Sequence, residues 1–315
     1  MTAKIIFTSL LGLLCIAHSF AQVTPNPSSI TTFEYVAKRY AATINAQVAD
    51  FAPVRYADRI YFSSNRDPKQ GEAAVSRIFS FKPGEQPKAD DEFNLKKNNK
   101  HVACPTLMPD ASRMYFTICG DEAMQKCELW YRDRAFDGTW GVAVKLPEQI
   151  NLRGSNNTQP AIGFDASQKK YILYFASNRP GGKGKMDIWA SPITFDGKFE
   201  TPYCLPFNTA GDEVTPSYNQ TAQTLYFSSN GLKGNGRLDV FSAKRDKTGN
   251  WEAPQNMGKP FNTAYDDLFF TYHEPSQTGY LASDRPGSLC NGSVEGFNCF
   301  DIYELKKKGT ETTLR

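Results

Sequence analysis

"YFASNRPGGKGKMDIW", residues 174–189, holds two strand-like runs around a tip of Asn, Pro, Gly and Lys. Gly182-Lys183-Gly184 could be taken for half of a phosphate-cradling loop. Such a loop needs a third glycine and a helix behind it, so that backbone N–H groups and the helix N-terminus face the phosphate. Here the glycines run into Met186-Asp187-Ile188-Trp189, which favours a strand, and the stretch reads as a β-hairpin.

The hairpin recurs as "YFSSNGLKGNGRLDVF" at 226–241, "YFSSNRDPKQGEAAVSRIF" at 61–79, "YFTICGDEAMQKCELW" at 115–130 and "YLASDRPGSLCNGSVEGFNCFDIY" at 280–303. The lead tyrosines, Tyr61, Tyr115, Tyr174, Tyr226 and Tyr280, fall 54, 59, 52 and 54 residues apart. A second element lies between the hairpins: "FNLKKNNKHVACP" from Phe93, "INLRGSNNTQP" from Ile150, "FNTAGDEVTP" from Phe207 and "FNTAYDDLFF" from Phe261. The last three follow outer-strand patterns, "TWGVAVKLP", "KFETPYCLP" and "NWEAPQNMG". Four short strands per repeat of about 50 residues make a propeller blade.

The expected fold is therefore all-β, a five-bladed β-propeller with four-stranded blades, with six blades as the alternative. Residues 44–53, "INAQVADFAP", form a connector with no complete hairpin before it, and the last blade stops after "DIYELKKKG" without an outer strand. The run "FEYVAKRYA" at 33–41 is expected to supply that strand and close the ring, removing exposed sheet edges. Phe33, Val36, Ala37, Tyr40 and Ala41 also fit helical spacing, which keeps a short amphipathic helix as the other reading.

These strings resemble the WD-like propeller repeat of TolB-related proteins. They are also similar to the propeller segments of bacterial envelope proteins that carry an OmpA-like domain, some of them in type IX secretion and gliding machinery. The resemblance implies an exported, non-enzymatic propeller that binds a protein or glycan partner in the cell envelope. The chain ends at Arg315 without an OmpA-like domain, so peptidoglycan anchoring is not implied.

Residues 1–21 read as a secretory signal peptide, with an apolar run from Ile5 to Ala17 and small residues before a cleavage site after Ala21. Cys15 offers a lipoprotein alternative, but Leu14 stands where a small residue is expected. Residues 22–32 are then an N-terminal extension, 33–308 the propeller and 309–315 a tail. The expected location is periplasmic, outer-membrane associated or extracellular. No further stretch is long enough for a membrane helix. A net charge of +3 with scattered Lys and Arg excludes a nucleic-acid footprint.

Enzyme signatures such as G-x-S-x-G and H-E-x-x-H are missing, and no cofactor or metal is expected. A glycosidase or lyase acting in the central channel is the alternative, since glycosidases need converging carboxylates. Its candidates are Asp50, Asp212, Glu213, Asp266 and Asp267, whose place in the repeated connectors also suits loop caps. Asn178 and Asp187, repeated as Asn230 and Asp239, are expected to bond turn N–H groups. Among the cysteines, Cys119 faces Cys127 across the blade 2 hairpin tip, with Cys104 competing for Cys119 and Cys204 unassigned. Cys290 and Cys299 bracket an insertion in blade 5. The two longest hairpin tips, 66–76 and 285–300, lie on neighbouring blades, so Arg66, Lys69, Arg285 and Phe297 are the candidate partner-binding residues. The turns on the opposite face, "YADR", "PDASR", "NQTA" and "EPSQT", are short and polar.

Overall fold

The computed structural model describes residues 30–41, 44–66, 75–90, 100–120, 126–289 and 299–312, and the side chains of 34–308 within them. Each repeat folds into a four-stranded sheet, giving five sheets and no sixth among these residues. The first strands are Asp50–Tyr56, His101–Leu107, Asn157–Asp165, Glu213–Asn219 and Asp267–His273. Each touches the first strand of the next sheet, and the fifth touches the first, which closes the ring.

Side chains on a strand alternate between faces, and here both faces of each sheet meet a neighbour. In the strand Lys170–Ser177, Leu173 and Phe175 pack against Tyr115 and Leu129 of blade 2. Ile172 and Tyr174 face Leu225 and Phe227 of blade 4. That is why the second strands read as continuous apolar runs, as sheets covered on both faces do.

The fifth sheet takes its outer strand from Ile30–Arg39, which lies beside Asp301–Thr312. The helical alternative for this run is thereby overturned. Period-two alternation places Tyr35 and Ala37 against Phe261, Leu281 and Tyr303, while Glu34, Val36 and Lys38 face outward.

Between blades the repeated asparagine of the connector does the joining. Asn151 Oδ1 accepts from the Leu129 N–H at 2.7 Å, and its Nδ2 donates to the Leu129 carbonyl at 2.9 Å. Asn208 clasps Ile188 in the same way (3.0 and 2.8 Å), Asn262 clasps Val240 (2.7 and 2.9 Å) and Asn45 clasps Ile302 (2.7 and 3.0 Å). All four asparagines are buried. A primary amide carries an acceptor and donors side by side, so one side chain satisfies both backbone groups of a third-strand residue as a neighbouring strand would.

Replacing Asn208 by Ala leaves the buried N–H of Ile188 without a partner, while its C=O keeps the Leu205 N–H, so stability should fall by roughly 1–3 kcal/mol, read by chemical denaturation. An unchanged midpoint would show that the amide is dispensable. Deleting residues 30–41 should lower the melting temperature by exposing the edge of blade 5, and a truncated chain melting like the parent would contradict closure by this strand.

Candidate functional site

On the face that carries the repeated motifs most polar side chains are already bonded within the fold. Asp50, Asn157, Glu213 and Asp267 each stand two residues before an inner-strand bulge, and each is buried. Asp50 accepts from the Ala46 N–H and Arg66, and Asp267 from the Thr263 N–H and Arg285. Glu213 accepts from the Thr209 N–H and from the Thr209 and Ser229 hydroxyls. Asp212 Oδ1 accepts from the Met186 N–H, and Asp266 Oδ1 from the Leu238 N–H. Burial pushes the Asp50 carboxyl up, against the opposing pull of Arg66. All five carboxylate candidates act as loop caps here and stay outside the channel cavity. At the hairpin mouths Asp187 accepts from the Lys183 and Gly184 N–H groups and Asp239 from those of Asn235 and Gly236. Asn178 and Asn230 accept from the N–H groups of Asn156 and Asp212. The aspartates take the turn-bonding role their spacing suggested, whereas the asparagines reach N–H groups of the preceding connector.

Arg66 and Arg285 are not free docking groups. Each forms a 2.6 Å ion pair, with Asp50 and Asp267, and their guanidinium groups also bond connector carbonyls, those of Ile44 and of Pro260 and Phe261. Arg179 does the same for Gln149 and Ile150, and burial lowers it to about 10. The Arg of the hairpin motif therefore stitches connector to blade. Lys69, Phe297 and Cys290 lie outside the described residues.

Cys119 pairs with Cys127, which resolves the competition against Cys104. Cys104 and Cys204 are free thiols, and Cys299 is disulfide-bonded. Blade 2 has apolar Val102 where the other blades have Asp, Asn or Glu, so the covalent link stands where that polar clasp is missing.

The open chemistry lies at the other end of the axis. Each inner strand is interrupted by a bulge at a residue with left-handed backbone: Ala52, Cys104, Gln159, Thr215 and Phe269, with φ between 51° and 56°. Thr215 is β-branched, for which this conformation is costly. In four blades a proline follows, Pro53, Pro105, Pro160 and Pro216. A proline offers no N–H, so it suits an edge facing a channel. Four of the bulged N–H groups donate to the preceding blade: Cys104 to Ser63 Oγ (2.9 Å), Gln159 to Thr117 Oγ1 (3.0 Å), Thr215 to Gln159 Oε1 (2.9 Å) and Phe269 to Thr215 Oγ1 (3.2 Å).

From this ring a cavity of about 740 Å³ extends down the inner strands to the short polar turns, including Asp58, Pro109, Gln220 and Glu274. Those turns are the ones the sequence had left without a role. Tyr56, Tyr218, Tyr226 and Tyr272 line it. Burial pushes Tyr218 and Tyr226 up to about 12, so both keep their hydroxyl protons at neutral pH. Besides these tyrosines and the Cys104 thiol, the cavity is lined by Arg55, Asp58, His273 and Glu274. Asp58 pairs with Lys82 at 2.9 Å, whose hydrogen bond holds its carboxyl below the usual range. Glu274 accepts from Asn219 Nδ2 (3.0 Å) and Gln277 Nε2 (3.1 Å), both neutral amides. Arg55 donates to Tyr280 Oη at 3.1 Å and the Ala57 carbonyl at 3.3 Å. His273 Nδ1 lies 2.8 Å from Ser276 Oγ, and burial, with Arg55 nearby, holds the imidazole below its ordinary 6.5. No cluster of metal-ligating groups occurs among the described residues.

No family model matches the chain, and no curated protein matches it by sequence. Among solved structures it is similar to a thermostable family-43 glycoside hydrolase, with 12% identity over 88% of this chain and 98% of that one, TM-score 0.55. A GH43 protein retrieved from a capybara gut metagenome gives 13% identity and TM-score 0.56, covering 88% of this chain and 57% of that one. An exo-β-1,3-galactanase from Clostridium thermocellum gives 14% and 0.52, covering 85% and 62%. The chain thus spans about three fifths of the last two. These neighbours correct the resemblance to TolB-type, WD-like envelope propellers, and with it the non-enzymatic, partner-binding expectation that it supported. At 12–14% identity what the likeness establishes is the five-bladed fold.

Proposed function

We propose that this chain is a glycosidase-like propeller that takes a glycan into the cavity on its axis. The observation that carries the reading is that cavity: about 740 Å³, walled by tyrosines and hydroxyl-bearing side chains, and presenting two carboxylates, Glu274 and Asp58. Its size falls within the ~300–1,000 Å³ usual for ligand sites. Tyrosine rings stack on sugar faces while their hydroxyls bond sugar oxygens. The solved structures that share the fold, and are named as glycoside hydrolases, lend the same reading support.

Glycoside hydrolysis uses one carboxyl to protonate the leaving oxygen and a second, ionised, to activate water or attack the anomeric carbon. Lys82 keeps Asp58 ionised, which suits the base or nucleophile. Glu274, the other carboxyl at the cavity, is then left for the acid role. Neutral His273 adds a hydrogen-bonding edge. Export is part of the proposal, supported by the Cys119–Cys127 disulfide, since such bonds persist in oxidising compartments.

Assay against a panel of oligosaccharides and aryl glycosides should reveal turnover, and Glu274→Gln should reduce kcat by about 10²-fold or more without moving the melting temperature. Asp58→Asn should behave likewise. Absence of both hydrolysis and binding across the panel would overturn the proposal, and full activity in both variants would displace the site.

A pH effect follows from His273. Its folded-state pKa lies below the unfolded 6.5, so the unfolded chain takes up the proton first as pH falls. The stability it contributes is complete above pH ~6.5 and declines below it. The melting temperature of the parent should therefore drop more between pH 7.5 and 5 than that of His273→Gln. Parallel drops would show that the imidazole is not held neutral.

A further inference from the structure

Arg66, Arg113, Arg245 and Arg285, each at least partly buried, all close on an aspartate: Asp50, Asp133, Asp165 and Asp267. Arg55 does not. It is half-buried at the cavity where blades 5 and 1 meet, and its hydrogen bonds go to a phenol oxygen and a carbonyl, both uncharged. Both cavity carboxylates are engaged elsewhere, Glu274 toward Asn219 of blade 4 and Asp58 on Lys82. A guanidinium has five N–H donors in a planar fork, so two bonds leave most of that fork uncommitted. His273, on the adjoining inner strand, has Nδ1 engaged by Ser276, which leaves Nε2 for a ligand. A cation withdrawn partly from water without an anionic partner is costly, and the cost is relieved when a carboxylate arrives.

We infer that the glycan taken by this cavity is acidic, with a uronic-acid residue whose carboxylate seats on the Arg55 fork beside His273. This rests on the glycan-acting reading above and names its substrate class. A planar carboxylate meets the fork through two parallel N–H···O bonds, which a neutral hydroxymethyl group cannot reproduce. Bound there, the uronate lies on the blade 1 flank of the fifth inner strand, while Glu274 turns to the blade 4 flank, so like charges are kept apart. Tyr280 takes one N–H of Nη1 and the Ala57 carbonyl takes Nε, so the second N–H of Nη1 and those of Nη2 remain for the carboxylate.

The test uses the full-length mature chain and trisaccharides of galacturonate, glucuronate and mannuronate, each beside its carboxyl-reduced, neutral counterpart, with affinity read by calorimetry at constant ionic strength. At least one acidic trisaccharide should bind about tenfold or more tightly than its neutral partner, as a charged hydrogen-bonded pair predicts. Arg55→Gln should abolish the preference, bringing each acidic member to the affinity of its neutral counterpart. Arg55→Lys keeps the charge without the fork and should retain only part of it, which guards against a glutamine variant that folds poorly. Equal binding of acidic and neutral members would overturn the inference and leave the glycan reading standing, as would an undiminished preference in Arg55→Gln. Binding of neither class, with no hydrolysis of the wider panel, would instead overturn the underlying reading.

Discussion

One asparagine amide at each described blade boundary carries the architecture. A propeller must turn the chain from the outer strand of one sheet to the inner strand of the next without leaving backbone groups buried and unpaired, which would cost about 1–3 kcal/mol each. Asn45, Asn151, Asn208 and Asn262 solve this with a single side chain that bonds both the N–H and the C=O of one third-strand residue. The connector is thereby held at a fixed place. The motif arginines then reach its carbonyls, and the bulged inner strands follow in register around the axis.

This clasp divides labour between the two ends of the ring. Where connectors meet hairpins, most polar side chains are already bonded: carboxylates cap loops, arginines bridge carbonyls, and aromatic rings such as Phe175 and Trp189 lie beneath Arg179. Such a network gives rigidity but leaves little for a ligand. At the opposite end the strands finish in short turns, the bulges hold them apart, and side chains such as Arg55, Glu274 and Tyr272 border open space. Loop length alone pointed to the bonded end.

Blade 2 illustrates how the repeat tolerates exceptions. With Val102 where the other blades have Asp, Asn or Glu, the hairpin mouth is held by the Cys119–Cys127 disulfide. Cys104, buried at the bulge ring with its thiol pushed up to about 12, stays protonated and unreactive.

The repeat was legible in the chain, because hydrophobic alternation and turn residues are local signals repeated at a fixed spacing; five blades and a closing strand were the favoured reading, with six blades and a helix at 33–41 excluded by the sheets themselves. The sequence by itself also determined the capping roles of Asp187 and Asp239, since a short polar side chain bonds N–H groups only a few residues away. A further signal was present and passed over: the proline recurring in "FAP", "ACP", "TQP" and "VTP" marks an inner edge that lacks a donor. Only the tertiary structure decided that Arg66 and Arg285 are internal struts while Arg55 faces the cavity. An arginine is a strut or a binding group according to whether carboxylates, amides and carbonyls of the fold fill its donors, as they do for Arg66, Arg179 and Arg285. Asp50 stands 16 residues from Arg66 and Asp267 18 from Arg285, whereas the groups around Arg55, Tyr280 and His273, come from the far end of the sequence and meet it only because the ring closes.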